Sequence, residues 1–181
     1  MKRTIICASA LAALAIGFGI LAPPAAAGVK NAGESGQAIY KRANCVGCHK
    51  WHGAGGGGYG GAALSLRKTQ FDKQQIIFTV SCGRPGTGMP YFLRGSYGDD
   101  KSKNPCGVTM KELGDIKVAQ GGVFLRPAEI AAAADYVLEH IKGKGEPNLA
   151  DCVAFFGDQS RVCEIYRKGA HHALPIPTTT R

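Results

Sequence analysis

The run Cys45-Val46-Gly47-Cys48-His49 constrains this chain more than any other. Two cysteines three positions apart, followed at once by histidine, read as an attachment site for c-type haem. The spacing has a chemical reason. Two thiols near the start of a helix reach the two vinyl groups on one edge of a porphyrin and form thioethers. The adjacent histidine then lies under the ring, where its imidazole can bind iron. A zinc site asks for further Cys or His ligands at suitable spacing, and a thioredoxin-like dithiol asks for a βαβ context. One CxxCH means one covalent haem, and the rest of the chain must fold around it.

Residues 1–27 read as a secretory signal peptide. Met1-Lys2-Arg3-Thr4 is a basic start, Ile5 to Ala22 is apolar, and Pro23-Pro24-Ala25-Ala26-Ala27 is a small-residue cleavage pattern, cut after Ala27. The apolar run is long for a signal, and an uncleaved membrane anchor is the competing reading. No second stretch is long enough to span a bilayer. The mature chain is therefore expected to be soluble in the periplasm, an oxidising space. Taking Lys2 and Arg3 from the 22 basic residues leaves 20 against 13 acidic ones, a formal charge of +7. That balance favours partners with an acidic docking surface, or an anionic membrane face, and speeds encounter more than it fixes affinity. The basic residues are scattered, which argues against nucleic acid.

The seven cysteines divide by role. Cys7 leaves with the signal, and Cys45 and Cys48 take the haem. Cys82, Cys106, Cys152 and Cys163 are an even number in an oxidising compartment and suggest two disulfides. Of three pairings, the sequence-local one is Cys82–Cys106 and Cys152–Cys163. Each closes a loop of roughly ten to twenty-five residues, worth about 2–4 kcal/mol. The competing reading is free buried thiols.

Apolar spacing predicts helices over 34–44, 72–81 and 127–142, with a shorter one over 109–118. The clearest is 127–142, with Pro127 in its first turn, Glu129 at the positive end of its dipole, and a stripe of Ile130, Ala133, Ala134, Val137, Leu138 and Ile141. Strand signal is weak throughout. The glycine-rich run 53–61 has no GK[ST] ending and no preceding strand, so it is not a phosphate loop. It is expected to pass close to the haem edge, with Leu64 and Leu66 covering the ring. The domains are thus 1–27, a haem domain over 28–143, and an extension and tail over 144–181, with a short disulfide-stapled helix and a mobile Pro/Thr-ending terminus.

A second iron ligand comes from few candidates. Met89 follows the breaker cluster Gly83-Arg84-Pro85-Gly86-Thr87-Gly88 and precedes proline, a context that fixes an extended loop and can hold a thioether against a metal. Met110 falls in the short helix, where a core role is expected. His52 sits too near His49 to reach the opposite haem face, His140 lies on the exposed end of the last long helix, and His171 and His172 belong to the tail. All four read as solvated.

An amphipathic helix, CVGCH, a long loop, GRPGTGMPYF and a final helix, in that order, resemble a class I c-type cytochrome over residues 33–143. The resemblance implies an all-α fold around one haem, with the first and last helices crossing near Gly36, Tyr40 and Tyr136. It implies His49 and Met89 as axial ligands and Cys45 and Cys48 as thioether attachments. The family often carries Gly-Pro-x-Leu after the haem motif, where the proline carbonyl receives the proximal histidine N–H. Here Gly61-Ala62-Ala63-Leu64 stands in its place, and an alanine carbonyl is expected to accept that bond. The extension Asp151-Cys152-Val153-Ala154-Phe155-Phe156-Gly157 with Cys163 is similar to the c553i type of methylotrophic and alcohol-oxidising bacteria. That likeness implies methanol utilisation, a quinoprotein dehydrogenase as donor, and a terminal oxidase or another cytochrome as acceptor.

Iron held by histidine and methionine has no open position, so the expected role is outer-sphere electron transfer and not enzymatic chemistry. Lys50, Lys68 and Lys73 are candidates for steering a partner to the haem edge. Two other classes stay open. A haem enzyme or gas-binding sensor needs Met89 detached from iron. A fixed electron-entry subunit of a dehydrogenase needs a stable partner.

Overall fold

The computed structural model describes residues 34–58 and 62–169. The signal-peptide reading, His171-His172 and the tail lie outside them. Along the chain run α1 (Gly36–Arg42), α2 (Cys45–His49), α3 (Lys73–Cys82), β1 (Tyr91–Leu93), α4 (Met110–Leu113), β2 (Gln120–Leu125), α5 (Pro127–His140), α6 (Leu149–Phe156), a 3-10 turn (Arg161–Cys163) and α7 (Glu164–Gly169).

Ser35 caps α1, its Oγ accepting from Ala38 N at 3.2 Å. Pro127 opens α5, and the Glu129 carboxylate accepts from Arg126 N at 2.7 Å. These two helices cross where a side chain would not fit. A Cβ on Gly36 would run into the Ala132 carbonyl and stand 2.7 Å from Tyr136 Cβ. Glycine permits that approach, and the Tyr40 and Tyr136 rings meet beside it at 5.6 Å. Arg42 fastens the crossing by reaching Glu34 at 2.6 Å and Glu129 at 2.9 Å.

The helix α3 starts in a capping box. Asp72 accepts from Gln75 N at 2.8 Å, and the Gln75 side chain accepts from Asp72 N at 2.9 Å. Its Ile76 joins Tyr40, Ala134, Val137, Ile141 and Phe155 in one buried cluster. A second cluster, of Ile39, Ala43, Phe92, Leu125, Ile130 and Ala133, takes the N-terminal part of the same α5 stripe. Cys45, Ile77 and Val80 touch both.

The expectation of an all-α chain needs correction. Strands β1 and β2 pair in parallel, with Tyr91 opposite Gln120 and Leu93 opposite Leu125. A parallel pair needs a long crossover, here residues 94–119. Helix ends also differ from expectation. Asn44 takes a left-handed conformation (φ 57°) that separates α1 from α2. The helix expected over 109–118 is four residues long and stops at Gly114. Cys82 is bonded to Cys106, which ties the crossover to the end of α3, and Cys152 is bonded to Cys163.

The segment after α5 packs on the rest. Lys41 Nζ donates to Phe155 O at 2.8 Å, and the same ammonium lies 4.3 Å from the Phe155 ring centre. Trp51 meets the rings of Phe155, Phe156 and Tyr166 at 5.5–5.9 Å. Buried Arg67 is the central tie. Its guanidinium donates to the carbonyls of His52 (2.9 Å) and Gly145, and to Asp151 at 3.1 Å. Arg67→Met leaves a half-buried carboxylate and two carbonyls unpaired, so a loss of about 3 kcal/mol is expected in chemical denaturation. A loss under about 0.5 kcal/mol would show that water replaces the guanidinium without cost.

Candidate haem site

The motif Cys45–His49 forms the single turn α2, directly after α1. Cys45 and Cys48 are free thiols, whereas the other four cysteines of the described residues are paired. Cys45 is half-buried where the two apolar clusters meet, and burial pushes its thiol up to about 12, so it is neutral near pH 7. Tyr40 lies behind it, donating its hydroxyl to Lys50 O at 2.9 Å. Burial raises the Tyr40 phenol far above its ordinary value.

His49 Nδ1 lies 2.9 Å from Leu64 O. A carbonyl only accepts, so Nδ1 carries the proton and Nε2 keeps its lone pair free for a metal. Burial lowers the pKa of this imidazole, and the bond to Leu64 partly opposes that shift, which keeps the ring neutral at pH 7. The acceptor is thus the leucine carbonyl, not an alanine carbonyl. The glycine-rich loop selects it by folding back on the motif itself: Gly55 N donates to His49 O at 3.1 Å and Gly57 N to Cys48 O at 2.9 Å. Gly56 N then donates to Ala63 O at 2.8 Å, which occupies the alanine carbonyl. The Leu64 side chain beside this bond is 65% exposed, and Leu66 packs against the cluster of Tyr40, Ile76 and Phe155.

Met89 is half-buried and packs against the cluster that Cys45, Ile77 and Val80 also touch. The Met89 thioether and the Cys45 thiol therefore border one apolar region, and Cys48 and His49 follow Cys45 in the same turn. Met110, expected in the core, is 43% exposed at the start of α4. His140 is exposed at the end of α5. His52, expected in solvent, is half-buried, with its ring edge-on to Trp51 and its Nδ1 accepting from Ala54 N at 3.2 Å. Lys50 and Lys68 are exposed, but Lys73 is neutralised by Asp135 at 2.6 Å. Sequence reasoning missed Thr87, whose hydroxyl binds the Met89 backbone, because an isolated threonine in a glycine-rich turn carries no periodic signal.

The donor set fits a covalent haem: two unpaired thiols a helical turn apart, a neutral imidazole with one nitrogen fixed, and aliphatic walls. It does not fit zinc, since no group of three His, Cys, Asp or Glu that could hold a metal ion occurs among the described residues. No helix of those residues is long and apolar enough to cross a membrane.

No curated protein and no solved structure matches the chain. Residues 31–104 match the family model described as cytochrome C oxidase, cbb3-type, subunit III. The matched segment holds α1, the CxxCH turn, α3 and Met89, and its likeness to that cytochrome c domain implies covalently bound haem c and supports a c-type cytochrome that works with redox partner proteins.

Proposed function

We propose that this chain is a monohaem electron carrier in which Cys45 and Cys48 hold the porphyrin, and His49 and Met89 close the iron on both sides. The observation that carries this reading is the shared apolar region. The fixed His49 ring and the Met89 side chain belong to segments forty residues apart, yet Met89 and Cys45 sit against one cluster. Haem c, when bound, supplies a one-electron ferric/ferrous couple.

The protein's own groups do the rest. Leu64 O orients the imidazole and makes Nε2 more basic. Ile77, Val80 and the buried clusters exclude water, which favours the less charged ferrous state, as does a thioether ligand. Exposed Lys50 and Lys68 supply positive charge near the motif for an acidic partner. The resemblance to cytochromes of alcohol-oxidising bacteria extends the proposal to the periplasm, with a quinoprotein dehydrogenase as donor.

Carbon monoxide tests the closed iron. The dithionite-reduced holoprotein is expected to keep its spectrum under the gas. A shift of the Soret band on adding carbon monoxide at neutral pH would show an open sixth position and move the reading to a haem enzyme or gas sensor.

A further inference from the structure

We propose that the crossover 94–119, fastened to α3 by the Cys82–Cys106 disulfide, is a clamp that fixes Met89 as an iron ligand; this rests on the Met89 reading above. The Met89 backbone is held at both of its polar groups. Its N–H donates to Thr87 Oγ1 at 3.2 Å, and its carbonyl accepts from Arg84 N at 3.0 Å. Thr87 Oγ1 in turn donates to Arg84 O at 2.7 Å, so residues 84–89 form a closed turn.

That turn hangs from the crossover. Gly86 N donates to Lys117 O, and Tyr91 N to Ala119 O, both at 2.9 Å. The far part of the crossover is tied back to the end of α3 by the disulfide, by Ser96 Oγ donating to Ser81 O at 2.7 Å, and by the Tyr97 hydroxyl donating to Cys82 O. From the other side, the end of α3 rests directly on the methionine segment. A Cβ on Gly83 (φ 65°) would stand 2.7 Å from Met89 O, Pro90 C and Tyr91 N. Met89 is thus framed between α3 and a covalently anchored strap. With the Met89 backbone pinned, a sulfur that rotates off stays within reach of its position, and a detached state that carries the whole loop away is disfavoured. Cys82, Cys106 and Thr87 are positioning residues, since none touches the reacting atoms.

The test titrates oxidised full-length holoprotein with imidazole, which competes for the sixth position. Apparent affinity reports the fraction of molecules with methionine detached. Cys82→Ser/Cys106→Ser is expected to bind imidazole about tenfold more tightly than wild type. Thr87→Val alters one exposed side chain, cannot prevent folding, and is expected to give about a threefold rise. Cys152→Ser/Cys163→Ser removes a disulfide remote from Met89. It is expected to melt at lower temperature while keeping wild-type imidazole affinity, which separates positioning from general stability. The clamp stands only if the Cys82/Cys106 variant, or Thr87→Val where that variant does not fold, binds at least about threefold tighter than this control. Any smaller difference overturns it. Wild-type protein lacking a methionine-to-iron charge-transfer band would remove the Met89 reading and the clamp with it. A present band with flat titrations removes the clamp alone.

Discussion

Met89→Ala is expected to abolish the methionine-to-iron charge-transfer band of the oxidised holoprotein and to let the reduced form bind carbon monoxide. Alanine offers no donor atom, and among the described residues the other methionine and the free histidines are placed elsewhere. Met110 is exposed on the crossover, His140 is exposed at the end of α5, and His52 is held edge-on to Trp51. The reduction potential is expected to fall, because thioether ligation favours ferrous iron. The structural cost is modest. Met89 is only half-buried, so the truncation should destabilise by about 1–2 kcal/mol, below the full cost of a core methionine. Loss of the band in a protein that still unfolds cooperatively would separate ligation from stability. An unchanged band rejects the assignment.

Cys45→Ser is expected to remove most covalently retained haem, read by haem staining after denaturing electrophoresis. Two effects act together. Serine cannot form the thioether, which leaves Cys48 alone to hold the porphyrin. It also puts a hydroxyl where the two apolar clusters meet, at a cost of about 1–3 kcal/mol without a partner. Cys45→Ala separates these effects, since it should fold better than the serine variant while retaining equally little haem. Undiminished staining in both would place the attachment elsewhere in the chain.

The proposed chemistry of the site was easier to read from sequence than its supports. Thioether attachment would fix residue types and spacing, so Cys45, Cys48 and His49 stand out as candidates, and Met89 stands out by its glycine- and proline-flanked context. The helix α5 was equally plain, because its apolar stripe runs at helical spacing for four turns and its first turn carries Pro127 and Glu129. The small sheet was not. Tyr91–Leu93 is too short to show an alternation, and Gly121 and Gly122 in β2 read as breakers. What makes these residues strands is tertiary: the crossover returns past the methionine loop and pairs with it. The His49 acceptor was misplaced for a similar reason. Residue spacing suggested alanine, but the glycine-rich loop folds onto the haem motif and spends the Ala63 carbonyl on Gly56. Backbone satisfaction across a loop of several glycines leaves no trace in side-chain pattern.

The docking of α6 matters to anyone who would cut or fuse this domain. Residues 28–143 hold every proposed haem contact, so a border at Gly143 looks safe for a minimal carrier. Yet Phe155 fills the same cluster as Tyr40 and Ile76, directly behind Cys45, and Asp151 faces the guanidinium of Arg67. Trimming there would open a hole behind Cys45, the proposed porphyrin anchor. A workable reporter or electrode graft must keep the polypeptide through the Cys152–Cys163 loop and attach its tether beyond it.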